Sequence, residues 1–395
     1  MECLGKGGNI KPKKELNKKK IWKLVIILIL AILFILLTFL YNKNYEFRKF
    51  FDKYIFRKEV DSENLPYIEI ESSKDINIFA YNGYILILDQ NELKFYNKHG
   101  NQEHVLDIEI SNPIFEANNN YLCIAEKDGQ KVCLISNKNI VWQKEIEGKI
   151  SSLNINKNGY VSTIISGTSY KSVIQIFDSK GNELFKKYLA TTNVIDTDIS
   201  NDNKYLAIAE ANFSGVVVQS NIKIVSIEDA KNNSAEAIKY THIAQPDNLI
   251  INIQYNNKNE LVCMYDSYID ILKEGQSTVL ANFENEKILF ADVNLSNKFM
   301  KIVRKDNEVL NPQIEMQTIN ANNQKMNLYK IESTPKKVYV HDNIIAVNLG
   351  TRVLFINDNC WLIKEYNSDE EVQEVVMCKD IAGIVCKKKI RIISL

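Results

Sequence analysis

Ser200-Asn-Asp-Asn-Lys-Tyr-Leu-Ala-Ile-Ala209 decides the fold. Asn and Asp tolerate the left-handed backbone that a tight turn demands, and the apolar run after them suits a buried strand. The same unit, a polar turn leading into a short apolar strand, recurs along the chain. It is seen in Phe79-Ala-Tyr-Asn-Gly-Tyr-Ile-Leu-Ile-Leu88, Ala117-Asn-Asn-Asn-Tyr-Leu-Cys-Ile-Ala125 and Asn156-Lys-Asn-Gly-Tyr-Val161. It returns in Asn256-Asn-Lys-Asn-Glu-Leu-Val262, Ser296-Asn-Lys-Phe-Met300, His341-Asp-Asn-Ile-Ile-Ala-Val347 and Lys379-Asp-Ile-Ala-Gly-Ile-Val385. Turns centred near residues 82, 119, 158, 202, 257, 297, 342 and 380 are spaced 37 to 55 residues apart. A four-stranded propeller blade repeats every 40–45 residues or so, and the spacing brackets that period.

A second kind of turn alternates with the first: Asn97-Lys-His-Gly-Asn101, Ser136-Asn-Lys-Asn139, Asp178-Ser-Lys-Gly-Asn182, Lys273-Glu-Gly-Gln276 and Asn357-Asp-Asn359. Outer strands follow several of them, as in Ile140-Val-Trp-Gln-Lys-Glu-Ile146, Glu183-Leu-Phe-Lys-Lys-Tyr188 and Trp361-Leu-Ile-Lys-Glu-Tyr366. The last repeat supplies only three strands, near 372–377, 382–386 and 389–394. Pro66-Tyr-Ile-Glu-Ile-Glu71 is therefore expected to pair as the missing fourth. Closure of that kind removes the exposed strand edges that invite aggregation. The expected fold class is all-β, a β-propeller of eight four-stranded blades over residues 65–395. Seven blades is the alternative if the long 202–257 interval or a terminal repeat is misread.

The turn Ile199-Ser-Asn-Asp-Asn-Lys-Tyr-Leu-Ala207 resembles the turns of WD40-like propellers, although no Trp-Asp dipeptide is present. The outer strands at Trp142 and Trp361 resemble those of quinoprotein-like eight-bladed propellers. The whole arrangement resembles an uncharacterised clostridial family of membrane-anchored propeller proteins. The resemblance implies the fold over about residues 65–395; function does not follow from fold.

Ahead of the repeats, Leu24–Tyr41 is uncharged and nearly all Ile, Leu, Val or Phe, with Trp22 and Tyr41 at its ends. Such a run is long enough for a membrane span, and aromatic residues favour the interfaces. Expected boundaries are a basic cytoplasmic tail over 1–20, a transmembrane helix over 21–41 and an amphipathic or stalk segment over 42–64. Residues 1–23 carry eight lysines against Glu2 and Glu15, net +6, and residues 42–60 are net +3. With a total of zero, the remainder is about −9. The lysine-rich tail favours a cytoplasmic N-terminus and an extracytoplasmic ring by the positive-inside rule, although the basic second flank weakens the asymmetry. A net acidic ring is a poor partner for nucleic acid; the partners expected are the lipid bilayer and a protein or envelope polymer.

Catalytic motifs are missing: there is no nucleotide loop, no His-Glu-x-x-His and no Gly-x-Ser-x-Gly. The histidines, His99, His104, His242 and His341, fall in different repeats or turns. Asp196-Thr-Asp198-Ile-Ser-Asn-Asp202 lacks the glycine and closing glutamate of a calcium loop. No catalytic, metal or cofactor-binding residue is assigned. The remaining candidates are polar residues alternating along the expected inner strands: Asp196, Asp198, Asn252, Asp292 and Asn294, with Asn154 and Gln254 beside them. They are expected to face the central channel, where a cation, a sugar or simply water would meet them. Cys123 and Cys133 flank a hairpin at Asp128-Gly129 whose register puts their thiols on opposite faces, so the cysteines are read as buried and free. Free thiols are unusual outside cells, which favours either an anaerobic source or a cytoplasmic ring. The function expected is a membrane-tethered, non-catalytic scaffold or ligand-recognition module. Its rivals are a quinone-dependent or carbohydrate-active propeller enzyme, and a membrane sensor acting through a partner.

Overall fold

A computed structural model describes residues 18–56, 58–60, 65–72, 76–284, 286–295, 297–305 and 313–395. Most of the expected basic tail, and residues 61–64 of the expected stalk, lie outside them. The chain divides into two compact units, residues 1–58 and 59–395.

In the first unit a helix, α1, runs over Lys18–Lys43. Its Trp22–Lys43 portion is long and apolar enough to cross a bilayer, about 33 Å at helical rise, with none of that stretch buried. The Thr38 hydroxyl is satisfied within the helix, donating to the Phe34 carbonyl at 2.8 Å. Asn44 ends the run. Its backbone is extended, and its side chain accepts from the Phe47 N–H at 3.0 Å, capping a second helix, α2, over Tyr45–Phe50. One π-turn, Phe51–Ile55, follows. The buried Asp52 carboxylate then accepts from the Tyr41 hydroxyl at 2.6 Å and pairs with Lys58 at 2.7 Å. Phe47 and Phe51 pack with ring centroids 4.6 Å apart, while Phe50, Tyr54, Ile55 and Phe56 stay exposed.

The second unit is a β-propeller of eight blades. Their first strands are Asn77–Tyr81, Pro113–Asn118, Lys149–Ile155, Asn193–Ile199, Ile250–Tyr255, Lys287–Leu295, Lys337–His341 and Glu374–Cys378. Each neighbours the first strand of the next blade, around the full circle, so these eight line the central channel. Blade 8 takes three strands from the C-terminal end and its outer strand, Tyr67–Glu69, from the start of the ring, with Ile68 opposite Ile390. The expected closure is therefore present. Ahead of it, Glu59–Val60 adds a short parallel strand to the outer edge of blade 7, so the ring begins before residue 65.

The second strand of each blade is buried on both faces, since neighbouring blades pack against each side. Tyr121–Glu126 shows the consequence: Leu122 and Ile124 pack towards blade 1, Cys123 and Ala125 towards blade 3. That two-sided burial explains why these strands read as unbroken apolar runs. Cys123 stands opposite Leu134 and Cys133 opposite Ile124, so the thiols point to opposite faces as expected. All six described cysteines are free and buried.

Turn chemistry repeats as faithfully. Asn156 Oδ1 accepts from the N–H groups of Asn158 and Tyr160, and Asn256 Oδ1 does the same for Lys258 and Glu260. Asp178 and Asn357 close the second kind of turn identically. Residues such as Asn119, Asn203 and Asn259 take positive φ there, as the polar turn composition requires. The long 202–257 interval is an insertion. A short helix, α3, over Ile227–Asn233 replaces the tight turn before blade 4's outer strand, capped by Ser226 and docked through Ile227 and Ala230.

Candidate functional site

The first turns converge on one face of the ring and are tied blade to blade by asparagine. Asn118 donates to the Ile155 carbonyl at 3.2 Å, Asn156 to the Ser200 carbonyl at 3.1 Å, and Asn201 to the Asn256 carbonyl at 2.9 Å. Lys298 continues the series, bonding the Asp358 carbonyl and pairing with its carboxylate at 2.9 Å.

Below this face the channel is polar. Asp196 clasps blade 5: its Oδ2 accepts from Asn252 Nδ2 and the Ile253 N–H, both at 3.0 Å. Asp198 repeats the clasp one pleat on, accepting from the Tyr255 N–H at 2.6 Å and its neighbour Ile199 at 2.8 Å. Asp292 and Asn294 meet each other within blade 6, the Asn294 N–H donating to Asp292 Oδ1 at 2.6 Å. The structure thus joins Asp196, Asp198 and Asn252 across two blades, while Asp292 and Asn294 form a local pair.

One acidic residue was missed by the sequence reading. Glu116, on the first strand of blade 2, keeps exposed surface although protein closes round its carboxyl. Its place two residues before Asn118, as Asn154 stands two before Asn156, is the pattern that would have found it. Burial pushes its carboxyl up to about 7, with Asp196 adding to the effect. Burial likewise lifts Asp196 to about 6 against the Ile253 and Thr197 N–H groups. It lifts Asp198 to about 8 against the Tyr255 N–H, and Asp292 to about 6 against Asn294. Several channel oxygens have no hydrogen-bond partner: Asn154 Oδ1, Asn252 Oδ1 and Gln254 Oε1, joined at the mouth by Asn297 Oδ1.

At that mouth lies a cavity of about 120 Å³, reached by residues of blades 2 to 7. Asn118, Asn201, Gln254, Asn257, Asn294 and Asn297 supply a carboxamide rim, and Tyr255, Val262, Val293 and Leu295 an apolar floor. A larger open groove, about 630 Å³, runs between the outer hairpin of blade 5 and the turn Ala321–Gln324. There the Glu260 carboxylate is already met by Asn256 at 3.0 Å and Lys273 at 3.3 Å.

His242 lies 3.6 Å from the buried Asp270, with Ser277 donating to that carboxylate at 2.6 Å. Cys263 beside them is fully buried and its thiol is pushed well above the ordinary range by burial and then by Asp270, so it is no nucleophile. Among the described residues, no three His, Cys, Asp or Glu side chains gather with metal-site geometry. Trp142 packs instead in the wall between blades 2 and 3, against Phe177 at 5.4 Å and over Gly181; Trp361 is exposed.

No curated protein matches the sequence. Among solved structures, BamB from Moraxella catarrhalis is 10% identical, with 82% of this chain and 99% of that one covered at a TM-score of 0.45. The WD40 domain of SCAP from fission yeast is also 10% identical, covering 84% and 95% at 0.45. A eukaryotic initiation factor is 12% identical, covering 82% and 85% at 0.48. At such scores these likenesses say nothing about binding or activity. The model of one sequence family matches residues 57–395, and on that match the chain belongs to the family of unknown function DUF5711.

Proposed function

We propose that the protein is a membrane-tethered recognition or scaffold module of the cell envelope, non-catalytic, with the lysine-rich tail in the cytoplasm and the ring outside. The observation that carries this reading is the helix Trp22–Lys43, long and apolar enough to cross a membrane and with no residue of that stretch buried in the protein. Nothing but lipid or another apolar helix stabilises such a surface. The chain then enters the ring through rim strands, Glu59–Val60 on blade 7 and Tyr67–Glu69 on blade 8, so tether and ring closure are consecutive segments.

Two further features support it. The six buried thiols are shielded, and burial pushes Cys123, Cys133 and Cys386 upward, which makes them poor targets for oxidants outside the cell. Neither tryptophan of the ring stands in the channel, so a quinone there lacks a stacking indole. The test is protease treatment of intact protoplasts carrying a C-terminally tagged chain. Tag loss or trimming to a ring-sized fragment, with the chain in the membrane fraction, is the expected result. Full protection until lysis, or recovery of the intact chain in the soluble fraction, overturns the reading.

A further inference from the structure

We infer that the face of the ring opposite the first turns docks on the membrane surface through the loop 213–218, whose apolar side chains enter the lipid interface. The inference rests on the tethered reading above and assigns the surface by which the ring meets the bilayer. The loop joins the second and third strands of blade 4, between the paired Asn212 and Gln219. It reads Phe-Ser-Gly-Val-Val-Val, without a charge. Phe213 and Val217 are exposed, and Val216 has its whole side chain open to water. The loop also stands clear of the blades: apart from its chain neighbours, a Cβ built on Gly215 would find only the backbone of Val217 within 4 Å. A projecting tip of that kind has no walls to grip a protein side chain, whereas fluid lipid closes round it.

Its surroundings suit the same occupant. Ile243, at the end of blade 4's outer strand, is exposed on this face, as are the paired rings of Tyr170 and Tyr188 in blade 3, 4.8 Å apart. Tyrosine rings favour the boundary between headgroups and acyl chains. The ring as a whole is acidic, yet the connections 167–171, 190–192, 213–218 and 244–249 on this face hold one lysine, Lys171, and one acid, Asp247. Anionic headgroups therefore meet no acidic surface here. The chain's point of entry agrees. Glu59–Val60 pairs with Glu365 and Tyr366 at the end of blade 7's outer strand, which is the end that reaches this face. Residues 44–58 join the ring to the helix, and even fully extended they span about 50 Å. The bilayer is thus held near the ring at high effective concentration, and weak apolar contacts suffice to dock it.

The test uses the full-length chain in liposomes of phosphatidylcholine and phosphatidylglycerol. Cys3→Ser removes the tail thiol, the ring thiols being buried, and an environment-sensitive dye is attached at Val216→Cys or Ser214→Cys. Lys180→Cys, in a turn on the first-turn face, is the control. The loop dye is expected to shift to the blue, to lose emission to nitroxide-labelled lipid and to be shielded from aqueous iodide, with the reverse at position 180. A loop dye quenched by iodide and untouched by lipid nitroxide overturns the inference, as does lipid quenching equal at both positions. Shielding of the loop from both quenchers also overturns it, because protein then covers the loop. If one loop variant fails to fold, the other decides. Flotation of the same liposomes reports on the helix separately: a floating chain with a water-exposed loop defeats this inference alone, whereas a chain that does not float defeats the tether as well.

Discussion

Gly181 sits at a φ of +84° in the turn before blade 3's outer strand, and a Cβ there would lie 2.7 Å from Cγ of Trp142 in the neighbouring blade. Two demands meet on one residue: left-handed backbone and room for an indole. Gly181→Ala is expected to cost about 1–3 kcal/mol, read as a lowered denaturation midpoint. The channel carboxyls make a different prediction. Glu116, Asp196, Asp198 and Asp292 all hold their protons more tightly in the ring than in the unfolded chain. Stability from this source is fully present below about pH 4 and is lost as pH rises through the folded values of about 6 to 8. The unfolding temperature should therefore fall between about pH 5 and about pH 8. Glu116→Gln, which removes one of these groups, should flatten that slope and raise stability at its upper end. A slope that rises with pH, or one indifferent to the substitution, would show that these carboxyls are ionised in the native state.

At the scale of the element, the strand Tyr67–Glu69 is short but closes the ring, with Ile68 buried between blades 8 and 1. Ile68→Asp places an unpaired charge in that seam and is expected to cost roughly 3 kcal/mol or more, with aggregation through the bared edge of blade 8. Size-exclusion chromatography alongside thermal melts checks both. This closure was legible from sequence because the last repeat is one strand short and Pro66–Glu71 has no other partner. The eight first turns were legible for a related reason: left-handed turn positions restrict residue choice, and strands buried on both faces leave no polar alternation. Other elements were hidden. Asn44 breaks the helical pattern by a cap, one residue among several asparagines, and α3 is too short to register beside the strands. The clasp of Asp196 on Asn252 joins residues of different blades, and nothing local announces it. Glu116 was hidden by choice of strand rather than by physics.

Taken as a whole, the molecule is two compact units with a charge contrast, the basic flanks of the helix against a ring of about −9. Since each unit has its own interior contacts, removal of residues 1–58 is expected to leave the ring's unfolding temperature within a few degrees while releasing it from membranes. A large drop on truncation would mean that the first unit contributes to the ring's stability.

The strand that closes the circle is among the first parts of the ring to be synthesised, and its partner, Lys389–Arg391, among the last. During translation, Tyr67–Glu69 has no mate while the intervening blades form one after another. A chain cut short anywhere along that path keeps both a bare edge and an unpaired strand within reach of proteases and chaperones. Completed chains hide both. A prematurely terminated copy is thereby distinguished from a complete one by the fold itself.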